Sequence, residues 1–190
     1  GKKFVVCGYG WCGRGVAMRA KGMGSQVIVC EVDPIKALEA LMDGFLVMTL
    51  LDAIKQADIV LSTTGNKHVV SEEHLRVAKP GIILANAGHF DVEINRDAIK
   101  KLAKKIRQVR PMVTEYDFGT KRVYLLADGR LVNLAAAEGH PASVMDMSFA
   151  GQAIGAEYLL KNKGKLKNQV HSLPQKLDKE IARLKLHSEG

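Results

Sequence analysis

The sequence predicts an α/β protein with a Rossmann-type, doubly wound, mainly parallel sheet, helices on both faces, and a C-terminal hairpin and helices. Continuous apolar runs alternate with helical segments between residues 4 and 88, which is typical of parallel strands buried on both faces. Several of these runs end in glycine or polar residues, and a glycine-rich turn follows the first of them. Both features favour a ligand-binding edge at the carboxyl ends of the strands.

The first half of the chain supplies five predicted strands, which are 4–8, 27–32, 45–48, 58–65 and 81–88. The segments between them predict helices over 13–22, 36–44, 52–57 and 71–79. Pro34 suits the first turn of the second of these helices, where a missing N–H costs nothing. Ser71 with the glutamates that follow it indicates a capping box at the start of the fourth.

The pattern changes after residue 106. Two strand-like segments, 109–118 and 121–133, flank a Gly-Thr pair and predict a hairpin, whereas KKLAKK (100–105) predicts the solvated face of a helix. Helices are expected over 142–161 and 175–190, the last with Leu177, Ile181, Leu184 and Leu186 on one face. We expect residues 1–160 to form the nucleotide-binding domain and 161–190 a basic loop with a helical extension.

Composition narrows the possible partners. The net charge is +8, but the lysines cluster in a helix face and a loop without interleaved aromatic residues, so an acidic ligand or solubility explains the charge better than nucleic acid does. No apolar run reaches the ~20 residues of a membrane span, and no signal peptide is recognisable. Three cysteines without metal-ligand spacing favour a reduced, cytoplasmic setting and no metal site. The start at Gly1, almost directly before a core strand, predicts a fragment.

The glycine-rich turn carries the first functional prediction. Gly8, Gly10 and Gly13 follow a strand and open a helix, which is the context that a dinucleotide-binding fingerprint requires. Glu31 ends the second strand 18 positions after Gly13, near the ~20 expected for a carboxylate that binds ribose hydroxyls. Such a carboxylate favours NAD over NADP, although Lys36 nearby weakens this preference. The alternative is an ordinary glycine turn beside a surface glutamate.

Four longer stretches carry a resemblance: EVDPIKALEALMDGF (31–45), STTGN (62–66), NAGHFDVEI (86–94) and GRLVNLAAAEGHPASVMDMSF (129–149). With GYGWCGRG, they resemble the NAD-binding domain of the S-adenosyl-L-homocysteine hydrolase family over residues 1 to 160. The resemblance implies reversible hydrolysis of S-adenosylhomocysteine to adenosine and homocysteine. In that family, tightly held NAD oxidises the ribose 3′-hydroxyl, which acidifies the neighbouring proton and allows the thiol to leave.

The same resemblance implies roles for individual residues. The pyrophosphate would lie on the turn formed by Gly8, Gly10, Trp11, Cys12 and Gly13. Glu31 and Lys36 would face the adenosine ribose of the cofactor; the family often has Asn at position 36. The remaining cofactor contacts implied are Thr64, Gly65, Asn66, Ala87, Gly88, His89, Asn133 and His140. Of these, His89 and His140 would also lie near the substrate, as the catalytic candidates.

The other histidines, which are His68, His74, His171 and His187, occur in polar stretches, and we expect them to be solvated. No residue of this chain matches the family's main acid and base groups, which belong to a separate substrate domain. The chain is therefore expected to bind NAD without appreciable turnover, and surfaces that normally pack would favour a homo-oligomer. Two alternatives stay open: a small stand-alone NAD-dependent oxidoreductase, or a non-catalytic module for NAD sensing or assembly.

Overall fold

The chain divides into two units, Gly1–Ala137 and Glu138–Gly190, in a computed structural model that describes residues 1–190. The first unit contains one eight-stranded sheet. In chain order its strands are β1 (Lys3–Cys7), β2 (Gln26–Cys30), β3 (Leu46–Val47), β4 (Ile59–Ser62), β5 (Ile82–Asn86), β6 (Lys105–Arg110), β7 (Val113–Asp117) and β8 (Arg122–Leu126).

The strand order across the sheet is β3-β2-β1-β4-β5-β8-β7-β6. All neighbouring pairs from β3 to β8 are parallel, whereas β7 pairs antiparallel with both β8 and β6. The order reverses direction at β1, because β2 and β3 lie on one side of it and β4 and β5 on the other. This confirms the predicted doubly wound, mainly parallel sheet, and such a reversal creates the crevice in which these folds bind dinucleotides.

The helices of the first unit are α1 (Trp11–Gly22), α2 (Pro34–Met42), α3 (Leu50–Ala53), α4 (Glu72–Val77), α5 (Arg96–Leu102) and α6 (Val132–Ala135). The core consists of two clusters, because successive strand side chains point to opposite faces. Val5 and Ile28 belong to one cluster, and Val6 and Val29 belong to the other. Pro34 occupies the predicted first turn of α2, where the Asp33 side chain accepts a hydrogen bond from Ile35 N.

One predicted element near the end of the first unit is wrong. The sequence predicts that residues 100–105 lie on one helix face, but α5 ends at Leu102 and Lys105 begins β6. All six residues of β6 are exposed, so the strand lacks the alternation of buried and polar residues that would reveal it. The antiparallel pair β7–β8 confirms the predicted hairpin, and a turn at Ala127–Gly129 interrupts the second strand-like segment after Leu126.

The capping box of α4 is present but uses a different partner. Nδ1 of His74, not a glutamate, lies 3.2 Å from Ser71 N and 2.7 Å from Ser71 Oγ. The expectation that His74 is solvated is therefore wrong, since its half-buried ring is held by the cap. Burial lowers the pKa of His74, and the neighbouring Glu73 opposes this shift, so the ring is in the neutral form that accepts a hydrogen bond.

The second unit contains two long helices, α7 (Ala142–Lys161) and α8 (Gln175–Glu189), which pack against each other. The predicted boundary at residue 160 lies within this unit, near the end of α7. On α8, the four residues predicted to share one face differ in burial, because Leu177 and Ile181 are half-buried whereas Leu184 and Leu186 are exposed. Lys185 continues the half-buried row, and its ammonium contacts Asp146 and Glu189. No helix of the chain is both long and apolar enough to cross a bilayer.

Candidate functional site

A cleft of about 620 Å³ lies at the carboxyl ends of β1, β2 and β4, where the reversal of strand order places a ligand site. Its volume falls within the usual range for small-molecule sites. The structure brings six of the predicted cofactor residues together along its walls, which are Gly8, Gly10, Glu31, Lys36, Thr64 and Asn66. The two ends of the cleft therefore belong to opposite sides of β1.

The glycine turn has the geometry that each of its three positions requires. Gly8 has a φ of +97°, which other residues adopt only with strain. A Cβ at Gly13 would lie 1.9 Å from the carbonyl oxygen of Gly8, so α1 can approach the turn only with glycine there. At Gly10 a Cβ would meet nothing within 4 Å. That open space in front of the backbone is where a diphosphate can approach.

The first turn of α1 supplies the donors for such an anion. Gly10 is the N-cap residue, and no side chain caps the helix, so the N–H groups at this end remain available for a ligand. Trp11 and Cys12 form this first turn, and the Trp11 side chain is 92% exposed. The backbone at these two positions, rather than their side chains, therefore suits a diphosphate.

Glu31 is held in place by the glycine turn. Its Oε2 accepts a hydrogen bond of 2.7 Å from Tyr9 N, and its Oε1 accepts from Val32 N and Asp33 N at 2.7 and 3.1 Å. Burial raises the pKa of Glu31, but these backbone donors and the charge of Lys36 outweigh it and lower the pKa on balance. The carboxylate is thus ionised and pre-positioned at the end of β2, with lone pairs left for further donors.

Two residues that sequence reasoning did not single out support the turn. The hydroxyl of Tyr9 donates to Asp43 Oδ2 at 2.7 Å, and burial together with this carboxylate raises the pKa of Tyr9 to about 12. The Thr63 hydroxyl donates to the Cys7 carbonyl at 2.8 Å. These bonds fix the turn to α2 on one side and to β4 on the other. A tyrosine inside the glycine motif and a threonine after an apolar run were the available signals.

On the other side of β1, a buried carboxylate organises the loop after β4. Glu93 is fully buried and accepts hydrogen bonds from Thr64 N, Thr64 Oγ1 and Gly65 N at 3.0, 2.9 and 2.7 Å. A Cβ at Gly88 would lie only 1.6 Å from Glu93 Oε1. Glu93 thus explains why three predicted site residues, Thr64, Gly65 and Gly88, have their positions. Its placement between two apolar residues, Val92 and Ile94, was the only signal in the sequence.

Asn86, the last residue of β5, is a second buried group that sequence reasoning missed. Its Oδ1 accepts from Gly88 N at 2.7 Å, and its Nδ2 lies 3.2, 2.9 and 2.9 Å from the carbonyl oxygens of Gly88, Phe90 and Gly129. One side chain therefore shapes the turn after β5 and ties it to the segment after β8. A polar residue that ends an apolar strand was the available signal.

The remaining predicted residues do not line the cleft. Ala87 follows Asn86 directly, and the exposed His89 ring packs edge-on against the Phe90 ring with centroids 4.6 Å apart. Asn133 lies in α6, two residues after Leu131, which bridges to Asn86 and so brings α6 to the end of β5. His140 belongs to the second unit, before α7.

Comparison with known proteins identifies this arrangement. Residues 1–139 match the family described as the NAD-binding domain of S-adenosyl-L-homocysteine hydrolase. The chain belongs to this family. As a member of this family of NAD-binding domains, it binds NAD, and the open turn at Gly10, the uncapped α1 and the ionised Glu31 fit that cofactor.

Curated relatives match over the whole chain. An adenosylhomocysteinase of Archaeoglobus fulgidus is 60% identical over 190 residues, and an S-inosyl-L-homocysteine hydrolase of Methanocaldococcus jannaschii is 59% identical. The chain covers 47% and 46% of these relatives, so it spans less than half of their length. Among solved structures, a dipicolinate synthase polypeptide of Bacillus halodurans has a TM-score of 0.50 and 16% identity over 53% of this chain and 35% of its own, which shows a shared fold.

The reactivity of the Cys12 thiol provides a first test of the structure around the first turn of α1. Burial, and then the negative charge of Glu93, raise its pKa above the ordinary value near 9.0, which lowers the fraction of reactive thiolate at neutral pH. We expect iodoacetamide at pH 7.5 to alkylate Cys12 more slowly than free cysteine, and the buried Cys7 and Cys30 only after unfolding. Mass spectrometry of peptides at timed intervals measures this, and faster alkylation of native Cys12 would contradict it.

Proposed function

We propose that the chain is the cofactor half of an enzyme that hydrolyses S-adenosylhomocysteine reversibly to adenosine and homocysteine. The observation that carries this proposal is the bond between Glu31 Oε2 and Tyr9 N, which holds a ribose-binding carboxylate against the glycine turn. Such a pairing of an anchored acid with an open turn suits a dinucleotide that stays bound through a catalytic cycle. Membership of the family and its 60% identical relative support the assignment of the reaction.

The residues of the chain would divide the work of binding. The N-terminal turn of α1, with Gly8, Gly10 and Gly13, would hold the pyrophosphate, and Glu31 with Lys36 would bind the adenosine ribose. Thr64, Gly65 and Asn66 would border the other end, together with Ala87, Gly88 and His89. Bound NAD supplies the hydride acceptor for the substrate ribose. Asn133 would contact the carboxamide end, and His140 would lie near the substrate.

The chain alone would bind NAD without appreciable hydrolysis. Proton transfer needs a group free to exchange a proton with the substrate. In the first unit, the Glu93 carboxylate near the β4 and β5 ends already accepts three internal hydrogen bonds, and His89 is a single exposed imidazole. Acid and base groups would therefore come from the part of the relatives' length that this chain does not span. Homocysteine release from S-adenosylhomocysteine at ordinary enzymatic rates would contradict this.

The setting would be a reducing cytoplasm, and self-association is expected. Three free cysteines support a reduced environment. Large apolar side chains are exposed on α7, which supports packing against a further protein surface; these are Val144, Met147, Phe149, Leu159 and Leu160.

Glu31→Gln tests the binding assignment. The neutral amide loses charge-assisted hydrogen bonds to the ribose, which are worth about 1.5–3 kcal/mol, so we expect NAD+ affinity to fall roughly tenfold or more. The ratio of the NADP+ to the NAD+ dissociation constant should decrease, because the repulsion of a 2′-phosphate disappears. Calorimetric titration measures both. Glu39→Gln on α2 removes the same charge from an exposed position and should change neither; unchanged NAD+ affinity in Glu31→Gln would refute the role of Glu31.

The stability of the same variant should depend on pH. The pKa of Glu31 is below its ordinary value of 4.5 in the folded state, so its stabilising effect is complete above that value and disappears as pH falls through the folded pKa. We expect the difference in free energy of unfolding between the unaltered chain and Glu31→Gln to be constant from pH 6 to 8 and to shrink below about 4.5. Urea unfolding at several pH values measures it, and a difference as large at pH 3 as at pH 7 would count against an ionised, hydrogen-bonded Glu31.

A further inference from the structure

Glu93 is a fully buried carboxylate whose partners are all neutral. Its three hydrogen bonds come from Thr64 N, Thr64 Oγ1 and Gly65 N. The Thr64 hydroxyl oxygen in turn accepts from Asn66 N at 2.9 Å, so its own hydrogen is directed to Glu93. The salt bridges of the first unit involve other carboxylates. Glu93 therefore accepts from neutral donors only, and no cation is present to compensate a charge on its carboxylate.

The backbone around Glu93 fixes this charge in place. The Glu93 carbonyl accepts from Val70 N at 3.0 Å, and Val70 also bridges to Ile94. The neighbouring Val92 carbonyl accepts from His68 N at 2.8 Å. The segment therefore pairs with the chain that follows the β4 loop, which fixes the Glu93 backbone, while the bonds to Thr64 and Gly65 hold the carboxylate.

The charge lies at the end of the cleft opposite the adenosine end. A dinucleotide crosses the point where the strand order reverses, which is β1. Glu31 marks the adenosine side at the end of β2, so the nicotinamide side extends over the carboxyl ends of β4 and β5. Thr64 and Gly65 follow β4, and Gly88 follows β5. Glu93 is in direct contact with the first two and leaves no room for a side chain at the third.

The field of Glu93 extends across the floor of the cleft. Cys12, in the first turn of α1, has a pKa raised by burial and then by the Glu93 charge. Cys7, at the end of β1, has a pKa raised first by its contact with Cys30, then by burial, and to a smaller extent by Glu93. Glu93 thus contributes to the pKa of two thiols beside the glycine turn, and a cation bound between them and β5 would be attracted to its carboxylate.

We propose that Glu93 makes the domain bind the oxidised, positively charged nicotinamide of NAD+ in preference to the neutral ring of NADH. This inference rests on the proposed binding of NAD. The nicotinamide ring is positively charged in NAD+ and neutral in NADH, so a fixed negative charge nearby would attract the first more strongly. At an effective dielectric constant of about 20, unit charges up to about 10 Å apart change an equilibrium constant by roughly tenfold. A tenfold preference would lower the midpoint potential of the bound couple by about 30 mV.

The test compares dissociation constants of NAD+, NADH and ADP-ribose for the unaltered chain and for Glu93→Gln. Calorimetry measures the dissociation constants of NAD+ and ADP-ribose, and energy transfer from Trp11 to NADH measures the dissociation constant of NADH. We expect the variant to reduce the preference for NAD+ over NADH roughly tenfold. ADP-ribose lacks the nicotinamide and reports any damage to the loops. Glu115→Gln removes another buried carboxylate, which lies on β7 and is paired with Arg107 on β6, and this variant should leave the preference unchanged.

Each outcome decides the matter. Equal weakening of NAD+ and NADH by Glu93→Gln would show a merely structural role and overturn the inference while the proposed function stands. No NAD+ binding by the unaltered chain would overturn both. If Glu93→Gln fails to bind ADP-ribose because it does not fold, the same comparison is made with Glu93→Met. Methionine has a similar length and carries no charge. The ratio of the two dissociation constants is unaffected by partial unfolding, since unfolded chain lowers both apparent affinities by the same factor.

Discussion

Gly13→Ala is expected to weaken NAD+ binding strongly and to destabilise the fold by about 3 kcal/mol, the upper end of the usual range for overpacking. The new methyl group would lie 1.9 Å from the Gly8 carbonyl oxygen and 2.9 Å from Thr63 Oγ1. Backbone atoms cannot rotate away as a flexible side chain can, so α1 must separate from the turn. Loss of the turn geometry should lower NAD+ affinity roughly 100-fold. Urea unfolding and calorimetric titration measure the two effects.

The matched control is Gly15→Ala on the same helix. A Cβ at Gly15 meets nothing within 4 Å, so this substitution should stabilise α1 by about 0.5–1 kcal/mol through helix propensity alone. NAD+ affinity should remain unchanged. If Gly13→Ala were as stable as Gly15→Ala and bound NAD+ equally well, the close contact between α1 and the turn would not exist in the protein.

Asn86→Asp is expected to cost about 4 kcal/mol of stability and to disrupt the turn after β5. The substitution retains an oxygen for Gly88 N but replaces the donating amide by a second acceptor. That oxygen would face the carbonyls of Gly88, Phe90 and Gly129, which accept from Asn86 Nδ2. A buried negative charge among acceptors repels them all. Binding of NAD+ should weaken along with stability, because Gly88 and His89 follow this residue.

The pH dependence separates this mechanism from simple loss of packing. A protonated carboxyl can donate to one of the three carbonyls, so the deficit in free energy of unfolding should be smaller at pH 4.5 than at pH 8. Asn168→Asp, the same substitution at an exposed position of the second unit, should change stability by less than about 0.5 kcal/mol at either pH. A deficit independent of pH, or one shared by Asn168→Asp, would argue against the network around Asn86.

The parts of the site that could be located from the sequence are those whose residues lie close together in the chain. Gly8, Gly10 and Gly13 lie within one turn, and their spacing reflects local backbone geometry that any strand-turn-helix unit must satisfy. Glu31 was also located, because a single strand separates it from that unit and parallel strands end at the same edge of the sheet. The buried strands were likewise located, because they are continuous apolar runs that end in glycine or polar residues and need both faces covered.

Other features depend on contacts between residues distant in the chain. Glu93 is 28 and 29 residues away from Gly65 and Thr64, which it holds, and Asn86 is 43 residues away from Gly129. His74 replaces glutamate in the cap of α4, and Lys185 replaces leucine in the half-buried row of α8, because a polar side chain with partners can occupy either place. β6 is defined by its pairing with β7 and by nothing in its own pattern.

Sequence alone therefore suffices for the fold class, the family and the glycine turn with Glu31, because short-range geometry and hydrophobic periodicity specify them. The tertiary structure decides which buried polar groups shape the loops after β4 and β5. The physical reason is that a buried polar group is tolerated only where partners satisfy it. For Glu93 and Asn86, those partners come together only when the sheet has assembled.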